Sequence, residues 1–343
     1  SGEACLAPTV GAGHAQPVRD RNLMDTRLPA RLGTLRQLEI FMKVAETQSI
    51  ARAAEALYLS HSAVSVQIRK LAEAVGLPLH EVIGKQLYLT EAGQEVVASG
   101  RELFEAIARL DGKLNDLKGL NAGSLSIAVV TTAKYFLPRI LGPFCREYPG
   151  IDVAFMVGNR AQIIERLNGN RDDFYIFSDP PDNLEIDSRP FLPNPLAVVA
   201  SAKNPLNRRK RLNWEDLQEQ KFLLREQGSG THITIQKHLR ENGLSLGKTM
   251  VIESNEAIKY AVMADMGITI LSAYVLANAT EDGLAQLRVK GFPIMSHWHV
   301  VNLKSKKLSL IAERFLDFIL NRSRDVLPME HIEQQVRRAL AQG

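Results

Sequence analysis

The chain has 343 residues, 45% of them hydrophobic and 23% charged, with a net charge of +4. That length exceeds one ordinary core and predicts two or three domains of a soluble globular protein. No stretch approaches the ~18 apolar residues of a membrane helix, and the mild basicity permits a nucleic-acid partner without demanding one.

Residues 1–23 are small, polar and aperiodic, so a disordered leader or an expression remnant is expected there, extending to about residue 33. Met24 is a candidate start. The two cysteines, Cys5 and Cys145, lie too far apart for a disulfide framework or a clustered metal motif, and a reducing cytoplasm is the expected setting. Thr34–Thr47 places Leu35, Leu38, Ile40, Phe41, Val44 and Ala45 on one helical face.

From Ser49 to Leu71 the chain reads as two short helices and one tight break. Ser49 is placed to cap the first, in which Ile50, Ala53, Ala54 and Leu57 form an apolar stripe. Tyr58-Leu59-Ser60 breaks the pattern, and Ser60 caps a second helix with Ala63, Val64, Ile68 and Leu71 inward. This pattern matches a helix-turn-helix whose second helix is the reader. Ser49, Arg52, Ser60, His61, Ser62, Ser65, Gln67, Arg69 and Lys70 are the candidate DNA contacts, because hydroxyl, amide and cationic groups bind phosphates and base edges. An ordinary amphipathic helix pair in an all-α core reads the same way. From Ala30 to Thr90 only seven Lys/Arg oppose five Asp/Glu, so phosphate contacts must come from a few placed cations.

Val82–Leu89 predicts a short hairpin with a Gly84-Lys85 tip, which makes the module winged. Lys85 either reaches a phosphate or is simply solvated. Thr90 opens a helix of roughly 28 residues, about 40 Å long at the usual rise. Its Val96, Leu103, Ile107, Leu110, Leu114 and Leu117 repeat as a heptad seam with a gap at Gly100, which predicts pairing with a second copy. Packing of this seam onto the rest of the same chain is the alternative.

Asn121-Ala122-Gly123 reads as a hinge, and the periodicity then changes. Strands are expected at 124–130, 151–157 and 173–177, alternating with helices at 131–148 and 159–167. That order means a parallel, helix-covered sheet. Further strands are expected at 196–201, 221–225, 250–253, 267–272 and 297–303, with helices at 214–217, 228–239, 255–263 and 309–320. The tail from Asn321 is polar and helical in pattern, with no assigned role.

This layout, from Leu35 to Leu320, resembles the LysR-type transcriptional regulators. The carrying stretches are LRQLEIFMKVAETQSIARAAEALYLSHSAVSVQIRKL, VGLPLHEVIGKQLYLTEAG and the paired α/β units. GNRAQIIERL, FLLREQGSGTHITIQKHL, SNEAIKYAV and GFPIMSHWHVV look like the CbbR-type branch, which governs carbon-fixation operons; regulators of inorganic-carbon uptake share these motifs. The resemblance implies an α/β protein with an N-terminal all-α winged helix-turn-helix over 34–90 and a long dimerising linker helix over 91–120. It implies a two-lobed effector domain similar to periplasmic binding proteins over 121–320, and a tail over 321–343. Lobe I would take about 121–200 plus a returning C-terminal segment, and lobe II about 201–300. The implied partners are double-stranded promoter DNA, a small effector, further copies as dimer or tetramer, and RNA polymerase; no cofactor and no membrane are implied. Two departures stand out. His61-Ser62 occupies the place of the family's usual Gln-Pro, and Leu79-His80-Glu81 that of Leu-Phe-Glu.

Parallel α/β lobes bind ligands outside the carboxyl ends of their strands, where helix N-termini present unpaired N–H groups. Four such loops occur: Thr131-Thr132, Gly158-Asn159-Arg160, Gly228–Thr231 and Glu253–Asn255. Taken singly they are ordinary caps. With the family pattern they point to an anion, a sugar phosphate or small dicarboxylate, held by Thr131, Thr132, Lys134, Asn159, Arg225, Ser229, Gly230, Thr231 and Asn255. His297 and His299 flank Trp298, but a metal site needs further ligands, and packing or surface histidines are the expected reading. No Gly-x-Ser-x-Gly elbow or phosphate-loop lysine supports catalysis. The runner-up to a noncatalytic regulator is a regulator of another operon, or a two-lobed anion-binding protein or enzyme with a helical interaction module.

Overall fold

The computed structural model describes residues 33–84, 86–117, 122–276, 283–330, 332–334 and 337. The expected leader and Lys85 lie outside the described residues. Two compact units divide between Glu105 and Ala106.

In the first unit, α1 (Leu35–Thr47) starts at Thr34, whose hydroxyl accepts from the Gln37 N–H while the Gln37 amide oxygen accepts from the Thr34 N–H. This reciprocal pair satisfies two orphan donors of the first turn. Helix α2 (Ile50–Ala56) is capped by Ser49, and α3 (His61–Val75) by Ser60. Between them Tyr58 takes a left-handed φ of 54°, which turns the chain in place of a glycine. Ile40, Phe41, Val44, Val64, Ile68 and Leu71 fill the core, and the small Ala53 and Ala54 let α2 approach its neighbours. The hairpin pairs β1 (His80–Ile83) with β2 (Gln86–Leu89), antiparallel, with Ile83 opposite Gln86.

Thr90 caps α4 (Glu91–Leu117) through the Gly93 N–H at 3.0 Å. The expected seam divides. Val96 packs against the first unit's own core, whereas Leu103, Ile107, Leu110 and Leu114 are exposed. The side chain of Leu117 is not among those described.

The second unit is built on one nine-stranded sheet. Strand β3 (Ala122–Val130) is parallel to β4 (Gly150–Gly158) and to β5 (Phe174–Phe177). The expected hinge at 121–123 is corrected here, because Ala122 and Gly123 are already paired with Gly150 and Ile151. Two long strands, β6 (Ile186–Ser201) and β11 (Ile294–Leu303), run antiparallel and carry the sheet from one lobe to the other. Strand β6 begins ten residues before the expected 196, across Pro190, Pro193 and Pro195, and β11 three residues before 297. Beyond it come β7 (Phe222–Leu224), β8 (Thr249–Val251), β9 (Ile268–Ser272) and β10 (Leu284–Gln286), giving the order β4-β3-β5-β11-β6-β9-β7-β8 with β10 beside β6.

Lobe I buries its sheet under α5 (Leu137–Glu147), α6 (Arg160–Asn168) and the returning α9 (Leu310–Val326). Lobe II has a core on each sheet face, one under α7 (Gly230–Glu241) and one under α8 (Asn255–Met263). The polar tail is also corrected. Helix α9 continues to Val326, and Leu327, Met329 and Ile332 are buried in the lobe I core.

Candidate functional site

On the first unit, His61, Ser62, Arg69 and Lys70 are exposed along α3, with Ser65 half-buried between them. Among the described residues Arg52 and Lys70 make no ion pair, and Arg69 meets Glu73 only at 4.0 Å. Gln67 is less free than its outward position suggested, since its amide oxygen accepts from Gln37 Nε2 at 3.1 Å. The Ser60 hydroxyl caps the Ala63 N–H at 3.1 Å and lies 3.0 Å from the Ser62 hydroxyl.

A groove of about 420 Å³ opens beside this surface, walled by Ser49, Arg52, His61, Gln86 and Tyr88. Tyr88 donates its hydroxyl to Gln86 Oε1 at 2.5 Å. Reading by recognition-helix face missed Gln86 and Tyr88. Strand alternation would have found them, because Leu87 faces inward and its neighbours must face out. The surface therefore offers exposed cations, hydroxyls and amides, the groups that meet a phosphate backbone and base edges.

In the second unit the strand-end residues come together across the lobes. Thr131 and Thr132 do not cap a long helix as expected. They open a five-residue 3-10 turn, Thr131–Tyr135, and α5 starts only at Leu137 with Pro138 in its first turn, where a missing N–H costs nothing. The two threonine hydroxyls are thus left to point at lobe II. Arg225 Nη2 donates to Thr131 Oγ1 at 3.3 Å, Arg225 Nη1 to Asn255 Oδ1 at 2.9 Å, and Asn255 Nδ2 to Thr132 Oγ1 at 3.0 Å. Arg225, Asn255 and Thr132 are buried, which makes this chain of bonds a polar floor between the two lobes.

Both cations at this floor are already matched. Arg225 donates from Nε and Nη2 to the two carboxylate oxygens of Glu226, each at 2.7 Å. Lys134 Nζ lies 2.7 Å from Glu256 Oε1, and the Tyr135 hydroxyl donates to the same oxygen at 2.7 Å. Ser254 Oγ donates to the other oxygen at 3.1 Å. Partial burial pushes the Glu256 carboxyl up, but bonds from Lys134, Tyr135, its own N–H and Ser254 outweigh that and hold it at about 2. Burial first, and then the Glu256 carboxylate, push the Tyr135 phenol well above its ordinary value. Glu226, Glu256 and Tyr135 were not anticipated from spacing.

The remaining expected residues have structural partners of their own. Asn159 caps α6, its Oδ1 accepting from the Gln162 N–H at 2.9 Å. Ser229 caps α7 through the His232 N–H at 3.2 Å. Gly230 is required by close packing, since a Cβ there would lie 2.5 Å from Ser178 Oγ, and Thr231 is buried behind it. Among the described residues no side-chain hydrogen bond joins these four to the Arg225 chain, although the Ser229 N–H donates to the Glu226 carbonyl oxygen at 3.2 Å. Arg160 instead bonds Asp179, to its backbone oxygen at 3.1 Å and its carboxylate at 3.3 Å. His299 Nδ1 lies 3.1 Å from Ser188 Oγ, and the register of β11 shifts between Trp298 and His299. Among the described residues no three His, Cys, Asp or Glu side chains gather as a metal site.

Residues 35–94 match the family described as bacterial regulatory helix-turn-helix protein, lysR family, and residues 118–324 match the LysR substrate binding domain. The HTH-type transcriptional activator CmpR of Synechocystis is 46% identical over 83% of this chain and 94% of its own length. A RuBisCO operon transcriptional regulator of Acidithiobacillus ferrooxidans is 40% identical over 86% of this chain and 96% of its own. Among solved structures, the Synechocystis CcmR regulatory domain in complex with 2-PG matches with a TM-score of 0.56 and 39% identity, covering 59% of this chain and 98% of that domain. The full-length regulator CbnR superimposes with a TM-score of 0.61 over 85% of this chain and all of its own length; at 22% identity it shows the shared fold.

Proposed function

The chain belongs to the LysR family of transcriptional regulators, and from that membership we propose that it binds promoter DNA of carbon-fixation or inorganic-carbon genes and responds to a small anion held between its effector lobes. The observation that carries this reading is one of arrangement. A single chain joins a helix pair with exposed cations to a cleft whose polar floor, Arg225–Asn255–Thr132, bridges the two lobes. The relatives CmpR and the RuBisCO operon regulators support the choice of target genes.

The anion is a sugar phosphate or small dicarboxylate, suited to Arg225, Lys134 and the two threonine hydroxyls. The relative whose effector-binding region is 39% identical was solved with 2-PG. Self-association uses the exposed Leu103, Ile107, Leu110 and Leu114 of α4, at coiled-coil spacing, and a tetramer assembles from two such pairs. The protein acts in the cytoplasm without catalysis, and RNA polymerase is its partner at an activated promoter. Among the described residues no helix is long and apolar enough to cross a membrane.

Mobility shifts on a promoter fragment test the DNA half of this reading. Ser65→Ala and Arg69→Ala are expected to weaken specific binding about tenfold each while the dimer persists. Unchanged affinity in both variants removes α3 as the reading helix.

A further inference from the structure

The cleft raises a question of selectivity, because its cations are neutralised from within. Lys134 of lobe I is paired with Glu256 of lobe II, and Tyr135 donates to the same carboxylate oxygen. This contact joins residues more than 120 apart, and Glu256 directly follows Asn255, whose amide bonds Thr132, so the part-exposed Glu256 carboxylate is anchored next to the buried floor described above. Its side chain keeps 45% exposure, and water can receive the carboxylate if it leaves. By contrast Arg225, 4% exposed, holds Glu226 by two bonds from a buried guanidinium, an arrangement that is costly to break. One of the two internal pairs is therefore built to exchange and the other to stay.

Resting on the effector reading, we propose that Glu256 is a tethered competitor that sets the ligand class: the effector is a compact anion carrying at least two negative charges, part of which replaces the Glu256 carboxylate on Lys134 and Tyr135. A carboxylate fixed next to its partner acts at an effective concentration of millimolar order or above. A free monocarboxylate offers the same contact without the tether, so it does not displace Glu256 at lower concentration. A dianion adds a second contact, to the Thr131 and Thr132 hydroxyls beside the Arg225 chain of bonds, and that second contact tips the exchange. Glu256 thereby excludes the many monoanions of the cell and admits phosphate esters and dicarboxylates. Released from Lys134, it also ceases to tie the lobes, and the ligand takes over the bridge.

Calorimetry on the full chain with malonate, inorganic phosphate and acetate tests this. The parent is expected to bind malonate and phosphate and to give no heat with acetate. Glu256→Gln is expected to tighten malonate about tenfold and to make acetate binding measurable. In Lys134→Gln plus Glu256→Gln that gain should vanish, which separates exchange on Lys134 from a general loosening of the lobes. Glu256→Asp, with a shorter reach to Lys134, serves if the glutamine variant misfolds and should show part of the gain. Malonate binding that is equal or weaker in Glu256→Gln and Glu256→Asp overturns the competitor role and leaves the anion effector standing. An absence of heat with malonate and phosphate in every variant overturns the anion effector itself, and this inference with it.

Discussion

The two functional surfaces handle positive charge in opposite ways. On the reading surface Arg52 and Lys70 are exposed without an ion pair among the described residues, and Arg69 has only a loose neighbour at 4.0 Å. In the cleft Lys134 and Arg225 each hold a carboxylate at 2.7 Å. The difference follows from the ligands. Duplex DNA brings many charges at once, so solvated cations gain by releasing its counterions and need no preformed geometry. A small anion brings few, and burying its cationic partners unmatched would cost several kcal/mol per ion. An internal carboxylate keeps such a site foldable while it is empty, and the ligand then binds by exchange.

The largest expected effect comes from breaking the buried side of this contrast. Arg225→Met leaves Glu226, Asn255 and Thr131 without their donor and should cost about 2–3 kcal/mol of the second unit's stability, below the usual range for a fully buried pair because Glu226 reaches solvent. It should also abolish malonate binding; denaturant unfolding and calorimetry on the same sample read both. A comparable loss is expected in the first unit from Gly93→Ala, whose Cβ would lie 1.9 Å from the Leu79 carbonyl oxygen at the start of α4. That clash is with backbone and should cost about 1–3 kcal/mol, seen as a lower melting temperature for this unit.

The exposed side should respond in affinity rather than stability. Lys70→Ala is expected to weaken binding evenly across DNA sequences and to reduce the slope of log affinity against log salt by about one, with melting temperature unchanged. A slope that does not move would place Lys70 away from the phosphates.

How much of each surface was legible in the sequence follows the same division. The helix pair is local: caps at Thr34, Ser49 and Ser60 and apolar stripes at 3–4-residue spacing lie within forty residues, so period and cap rules reach them. The cleft is not local. Strand ends directed attention to Thr131, Thr132, Arg225 and Asn255, which do meet, and to Lys134, which meets Glu256 instead. Glu256 and Tyr135 escaped because their contact spans 121 residues and nothing in the spacing announces it. Asn159 and Ser229 each cap a helix, and a cap and an anion site share the same residue types, so spacing alone does not separate the two roles. Strand β6 escaped for a different reason. Prolines 190, 193 and 195 argue against a strand interior, yet the structure pairs them with His299, His297 and Met295 on β11.

Smaller effects sharpen the contrast further. Glu256 is held at about 2, below its ordinary 4.5, so it stabilises the fold fully above the ordinary value and loses that contribution as pH falls toward 2. The melting temperature of Glu256→Gln should therefore sit slightly below the parent's at neutral pH and converge with it in acid, a small difference because the pair is part-exposed. Smallest of all, Tyr58 is 97% exposed and holds a left-handed φ of 54°. Tyr58→Asn should stabilise the first unit by roughly 0.5 kcal/mol, since asparagine tolerates that region better, and chemical denaturation of the two proteins side by side checks it.

Anion binding in the matched cleft is expected to change how the unmatched surface engages DNA. A footprint on promoter DNA upstream of carbon-fixation genes, taken with and without malonate, tests it most directly. The parent should show a footprint whose extent or periodicity changes with malonate, and Arg225→Met, at a temperature where it remains folded, should give the same footprint in both conditions. A parent footprint indifferent to every anion that binds the cleft would contradict the claim.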